Sequence, residues 1–170
     1  MIAILHKTRQ TRVLNTILSL ATGALFLVLL LHSKQALAPV DTVPKTKYEA
    51  LASFGTVSIP VDIADTASEQ ELGLSGTISL AQNTGKLFIF NAAGRYGFWM
   101  KNMNYPIDII WIDKDLRIVG ISKNITPDSY PEIFYPPKDI KYVLEVNAGF
   151  STIHSLYVNQ LLTISNNLSF

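Results

Sequence analysis

The 170-residue chain contains no cysteine. That excludes a disulfide framework, a lipid anchor of the lipoprotein type and the thiolate-based zinc sites. Histidine is almost as scarce, with three in all. Two of them, His6 and His32, lie near the N-terminus, and only His154 lies in the remaining chain. Neither a metal nor any other cofactor is therefore expected. A calcium site at Asp113 and Asp115 would need EF-hand spacing, which is absent. Acidic residues are missing altogether from the first 38 positions, which hold only Lys7, Arg9, Arg12 and Lys34 as charges. All 13 acidic residues follow, against ten of the 14 basic ones. A domain with this slight acidic excess lacks the basic footprint that phosphate backbones demand, so no nucleic-acid partner is expected.

The one long apolar run is residues 13–31, 19 positions without a charge. As a helix it would extend about 28 Å, close to the hydrocarbon thickness of a bilayer. His6, Lys7, Arg9 and Arg12 precede it, so the positive-inside rule places the N-terminus in the cytoplasm and the rest outside. A cleaved signal peptide is the alternative, because Ala36-Leu37-Ala38 makes a small-residue cleavage pattern. The length of the run and Pro39 after the scissile position favour a retained anchor. The expected order is a basic cytoplasmic tail (1–12), a transmembrane helix (13–31), a linker (32–53) and a β-rich domain (54–170). The protein would be a single-pass membrane protein with an extracytoplasmic C-terminal domain, or a secreted one if Ala38-Pro39 is cut.

Within the domain, Val57, Ile59, Val61 and Ile63 alternate with smaller or polar residues, as in a half-buried strand. Pro60 suggests that it is an edge strand. Thr66-Ala67-Ser68-Glu69 spells a capping box, predicting a short helix to about Leu74 with Gly76 at its exit. Short strands are expected at Leu87–Phe90, Phe98–Met100, Ile107–Ile112, Leu116–Ser122, Tyr142–Val146 and Leu161–Ser165. Asp113-Lys114-Asp115 would turn a hairpin, and Phe150–Tyr157 would hold a turn of helix. Pro127, Pro131, Pro136 and Pro137 preclude regular structure between residues 121 and 141. The expected fold is mainly β: a small antiparallel barrel or sandwich with one or two short helices.

Phe98-Trp99-Met100-Lys101-Asn102-Met103, followed by Pro106-Ile107-Asp108-Ile109-Ile110, resembles the bacterial and archaeal family known as domain of unknown function 192. Gln70–Leu74, Gly85–Phe90, Asp113–Asp115 and Tyr142–Gly149 continue the resemblance, which covers roughly residues 56–165. It implies an exported or membrane-anchored domain of β-barrel-like fold, and no established activity. The chain departs from the family pattern at Lys86, where methionine is usual. Ser75-Gly76 replaces a bulky residue and an arginine, and Asn159-Gln160 replaces Gly-Asp.

The candidate binding residues are Trp99, Lys101, Asn102, Asp108, Tyr130, Tyr135 and Glu145. Trp99 and Phe98 offer stacking faces, while Lys101 and Asn102 offer donors. Alternatively, these residues simply alternate between core and solvent, with Lys101 paired to Asp108 or Glu145. Glu145 lies in an apolar strand and would point to solvent, or be buried beside Lys101 or Arg95 with a perturbed pKa. Tyr130 and Tyr135, interleaved with proline, would make a rigid contact surface or merely cover one end of the domain. These residues point to a non-enzymatic binding or accessory module of the cell envelope, with an envelope ligand or protein partner. The alternative is a hydrolase-like envelope enzyme in which Lys101, Asp108, Glu145 and His154 converge.

Overall fold

The computed structural model describes residues 48–165. The basic tail, the apolar segment 13–31, the cleavage pattern and residues 32–47 of the linker lie outside the described residues. Among the described residues no helix is long and apolar enough to cross a membrane.

The chain is already a strand at β1 (Ala50–Phe54), within the stretch read as linker. Ala50, Ala52 and Phe54 point inward, and Gly55 at φ 64° turns the chain into β2 (Val57–Ala64). Thr66 caps α1 (Ala67–Leu72) by the expected capping box: its hydroxyl accepts from the Glu69 N–H, and the Glu69 carboxylate accepts from the Thr66 N–H. The helix ends at Gly73, earlier than Leu74. One long strand, β3 (Gly85–Gly94), follows. Phe98 makes only an isolated bridge to Phe134, so Phe98–Met100 is not a strand. β4 (Ile107–Ile112) and β5 (Ile118–Ile125) form the expected hairpin. Asp113 Oδ1 accepts from the N–H groups of Asp115 and Arg117 at 3.0 Å each. A 3-10 turn (Pro127–Ser129), β6 (Ile140–Asn147), α2 (Phe150–Ile153) and β7 (Thr163–Ser165) complete the chain.

The seven strands form one mixed sheet in the order β5-β4-β6-β3-β2-β1-β7. The fold is mainly β with two short helices, but the purely antiparallel expectation fails at β2 and β3. These run parallel, because residues 65–84, α1 included, carry the chain back across the sheet. Nor does the sheet close into a barrel. The two edges touch at one bridge, Arg117 to Leu161, with Leu162 N–H donating to the Leu116 carbonyl at 2.7 Å. Pro60 does not mark an edge, since β2 pairs on both sides. It falls one residue before the β3 ladder begins at Val61–Gly85, where its missing N–H removes no ladder bond.

Both faces of the sheet are buried at its centre, so β4 is buried at all six positions. The first face carries Asp108, Ile110, Ile112, Leu144 and Val146, packed against Phe54, Ile59, Phe150 and Leu162. The second carries Ile109, Trp111, Val143, Glu145 and Phe88, covered by Leu74, Leu80, Met100 and Phe98 from irregular segments. Each fully buried large side chain contributes roughly 1.5–3 kcal/mol by leaving water.

Candidate functional site

The site grows from a polar row on the second face. Register aligns Asp62 on β2 with Lys86 on β3, Lys86 with Glu145 on β6, and Glu145 with Ile109 on β4. Lys86, 8% exposed, donates to Asp62 Oδ2 at 2.8 Å. Glu145 is 5% exposed, and its Oε2 has no hydrogen-bond partner among the described residues. Burial pushes the Glu145 carboxyl up to about 8, with the Lys86 charge pulling the other way. Asp62 therefore takes the Lys86 hydrogen bond, and Lys86 acts on Glu145 through its charge alone.

Glu145 lines a cleft of about 160 Å³ between α1 and the aromatic residues of the second face. Phe88 meets Phe98 edge-on at 4.9 Å, and Phe98 meets Trp111 the same way at 5.5 Å. Phe90 and Tyr96 stack at 3.7 Å, and the Tyr96 hydroxyl donates to the Ala92 carbonyl. Alternation along β3 puts Lys86, Phe88 and Phe90 on this one face. Across the cleft, Gln70 Nε2 donates to the Ile89 carbonyl at 2.9 Å and fastens α1 to β3. Gly73 closes the helix end tightly: a Cβ there would lie 3.3 Å from Phe88 Cζ and 4.0 Å from Glu145 Oε2.

The rim carries four of the expected residues. Trp99 is 48% exposed, Tyr130 approaches it edge-on at 6.2 Å, and Lys101 Nζ stands 5.5 Å from its ring centre. Trp99, Lys101 and Asn102 also line a shallower recess beside Glu71, Leu72 and Ser75. Ser75 Oγ donates to the Lys101 carbonyl, and Gly76 N–H donates to the Asn102 carbonyl, each at 2.8 Å. The atypical Ser75-Gly76 pair thus holds the rim loop in place. Asn102 takes a left-handed φ of 58°, a conformation its short polar side chain tolerates.

Of the candidates only Trp99 and Glu145 line the cleft itself, and Tyr135 and Asp108 lie outside both cleft and rim. Tyr135 is exposed and packs over Gly97, where an added Cβ would lie 2.8 Å from its ring. Asp108 is fully buried on the first face, opposite to Glu145, because successive residues of β4 alternate and Asp108 faces Val146. Its carboxylate accepts from the N–H groups of Asn124, Gly149 and Ser151 and from Ser151 Oγ at 2.6–3.2 Å. It ties β5 and α2 to β4. His154 packs on Phe150 of the first-face core. The expected convergence of Lys101, Asp108, Glu145 and His154 is therefore not observed. Arg95 donates to the Pro136 carbonyl instead of pairing with Glu145. Among the described residues no three histidine, aspartate or glutamate side chains gather as metal ligands would.

Sequence reasoning missed Lys86, Tyr96, Gln70 and Gly73 as parts of the site. A signal for Lys86 was present: it is the one charge inside the apolar run Gly85–Phe90. The α1 contribution had none, since it depends on where the crossover docks.

No curated protein matches the chain. The solved structures similar to it include the following two. One is a protein of Sinorhizobium meliloti 1021 described as a candidate transcription regulator. It is 27% identical with a TM-score of 0.64, over 70% of this chain and 96% of that one. The other is a protein of unknown function from Novosphingobium aromaticivorans DSM 12444. It is 26% identical with a TM-score of 0.62, over 67% and 82% of the two chains. The family model described as uncharacterized ACR, DUF192, matches residues 50–164, the whole seven-stranded sheet but its last residue, and the chain belongs to that family.

Proposed function

We propose that this protein is a non-enzymatic binding module of the cell envelope. Residues 13–31 anchor it in the membrane, and the Glu145 cleft takes a small organic ligand outside the cytoplasm. One observation carries the reading: a buried carboxyl oxygen without a hydrogen-bond partner among the described residues belongs to a residue that lines an aromatic cleft. Buried polar groups are ordinarily satisfied, and a group left open at a concave, largely apolar site marks a place for a ligand. Trp99, Lys101, Asn102 and Tyr130 form the rim that the ligand's outer part meets. The acidic excess of residues 39–170 gives no support to binding nucleic acid, although one structural relative is described as a candidate regulator of transcription.

The test is a titration of the full-length chain in detergent, labelled at its methionine methyls. Met103 lines the cleft, whereas Met100 is buried in the core and serves as the reference. A panel of small amines, carboxylates, amides and saccharides is expected to contain at least one compound that shifts Met103 in a saturable way. If no class does, the binding reading is lost. Protease applied to intact cells should cut the domain while sparing cytoplasmic proteins; protection of the domain would overturn the proposed orientation.

The enzyme alternative keeps one supporting observation. A carboxyl group held protonated near neutral pH in a desolvated cleft is in the state a general acid requires. Consumption of a cleft-binding compound by the wild type, abolished in Glu145→Gln, would favour it.

A further inference from the structure

The chemistry of the cleft narrows its ligand. Once ionised, the Glu145 carboxylate only accepts, so a group that meets Oε2 in that state donates. Aromatic rings surround the position, and their π-faces favour a cation over a neutral donor. The nearest protein cation is taken, since Lys86 is held by Asp62 at 2.8 Å. Lys101, the other basic group nearby, sits over the Trp99 ring at the rim. Glu71 lines the mouth and adds negative charge along the entry path. The volume is suited to one slender side-chain-sized group.

We propose that the cleft binds a primary ammonium group on an aliphatic stem, ion-paired to Glu145 Oε2 and bordered by Phe88 and Phe98, with Trp99 and Tyr130 covering the stem's outer end. The proposal rests on the binding-module reading and specifies its ligand. Two sources share this chemistry: a lysine-like side chain of a peptide, and a free aliphatic diamine. The rim favours neither in chemical terms, so the test separates them.

Binding couples to a proton. The free cleft holds Glu145 protonated up to about pH 8, and the ion pair needs it ionised. The charged and titratable groups around it are Lys86 and Asp62 on the sheet, Tyr105, Glu71 on α1 and Lys101 at the rim. Tyr105 is itself held above its usual value, mainly by burial, with the Glu145 charge as a further cause and its bond to Thr77 opposing. Affinity for a cation that stays charged should therefore fall about tenfold from pH 9 to pH 7.

The experiment uses the full-length methionine-labelled chain in detergent and three probes: Nα-acetyl-lysine methylamide, cadaverine and the neutral isostere Nα-acetyl-norleucine methylamide. The expected result is saturable movement of Met103 by the lysine compound, at least tenfold tighter than by the norleucine compound and weakening from pH 9 to pH 7. A peptide source predicts that the lysine compound outcompetes cadaverine; the reverse order assigns the site to free diamines. Glu145→Gln should erase both the preference for the cation and the pH dependence while Met100 keeps its shift. Lys86→Met removes the positive charge that holds the Glu145 carboxyl down, so it should move the pH dependence of cation binding to higher pH, and it tests the same idea should Glu145→Gln fail to fold; an unmoved pH dependence would overturn the ion pair. Equal binding of lysine and norleucine compounds would overturn the cation proposal and leave the binding module standing. Binding of other panel members alone would do the same. Silence of Met103 toward every compound would remove both.

Discussion

Two carboxylates one residue apart in cross-strand register face opposite sides of the same sheet, and they are treated in opposite ways. Asp108, on the first face, is fully buried and accepts four hydrogen bonds from β5 and the chain around α2. Glu145, on the second face, is nearly as buried, yet its Oε2 has no hydrogen-bond partner among the described residues. The coverings of the two faces differ as well. Strands, α2 and the segment before β7 close the first face, while α1, the 95–106 loop and the 130–137 loop lie over the second. The lesson is that a buried carboxylate is a fastener where regular structure brings N–H groups to it. Where loops leave an aromatic cleft instead, it remains available to something else.

The contrast breaks most visibly at Asp108. Asp108→Ala leaves the N–H groups of Asn124, Gly149 and Ser151 without their acceptor, and should lower unfolding stability by about 3 kcal/mol in urea denaturation. A loss below roughly 1 kcal/mol would mean that water replaces the carboxylate and that it is no fastener.

Glu145→Gln should have the opposite sign. The folded carboxyl is raised to about 8 against an unfolded value near 4.5. Its proton-linked stability is therefore complete below pH 4.5 and is lost as pH rises toward 8. Wild-type stability should decline across that window by an amount on the order of 4 kcal/mol, and the glutamine variant should show a flatter profile. Parallel profiles for the two proteins would show that Glu145 is solvated in the folded state.

The wall opposite Glu145 depends on a local device. Thr66→Ala removes the hydroxyl half of the capping box and should cost about 1 kcal/mol. Faster amide exchange should be confined to α1 and to Gly73, which borders the cleft. Uniform exchange throughout the sheet would instead tie α1 to the global fold.

The smallest effect on stability is expected at the rim. Trp99→Ala and Tyr130→Ala remove exposed rings and should change stability by less than about 0.5 kcal/mol. Both should weaken any compound that shifts Met103. A large loss of stability from either would assign the Trp99–Tyr130 pair to the core.

Much of the fold was legible because local patterns dictate it. Thr66 and Glu69 specify a helix start through two reciprocal bonds only three residues apart. Asp113 specifies the β4–β5 turn through bonds to Asp115 and Arg117. The apolar run Ile109–Ile112 marked a strand, and the structure buries it on both sides. Pro60 misled because its lost donor matters only where a neighbouring strand needs it, and β3 begins one residue later.

The sequence by itself determined most of the strands, though not β1, along with the capped helix, the family and the presence of aromatic and charged residues around Trp99. Each rests on patterns or bonds between near neighbours in the chain. Only the tertiary structure decided that β2 and β3 run parallel, that Asp108 and Glu145 face apart, and that Lys86 spends its hydrogen bond on Asp62. Those outcomes depend on register between strands distant in sequence, where a shift of one residue exchanges the faces. The same register placed Glu145 rather than Asp108 in the cleft.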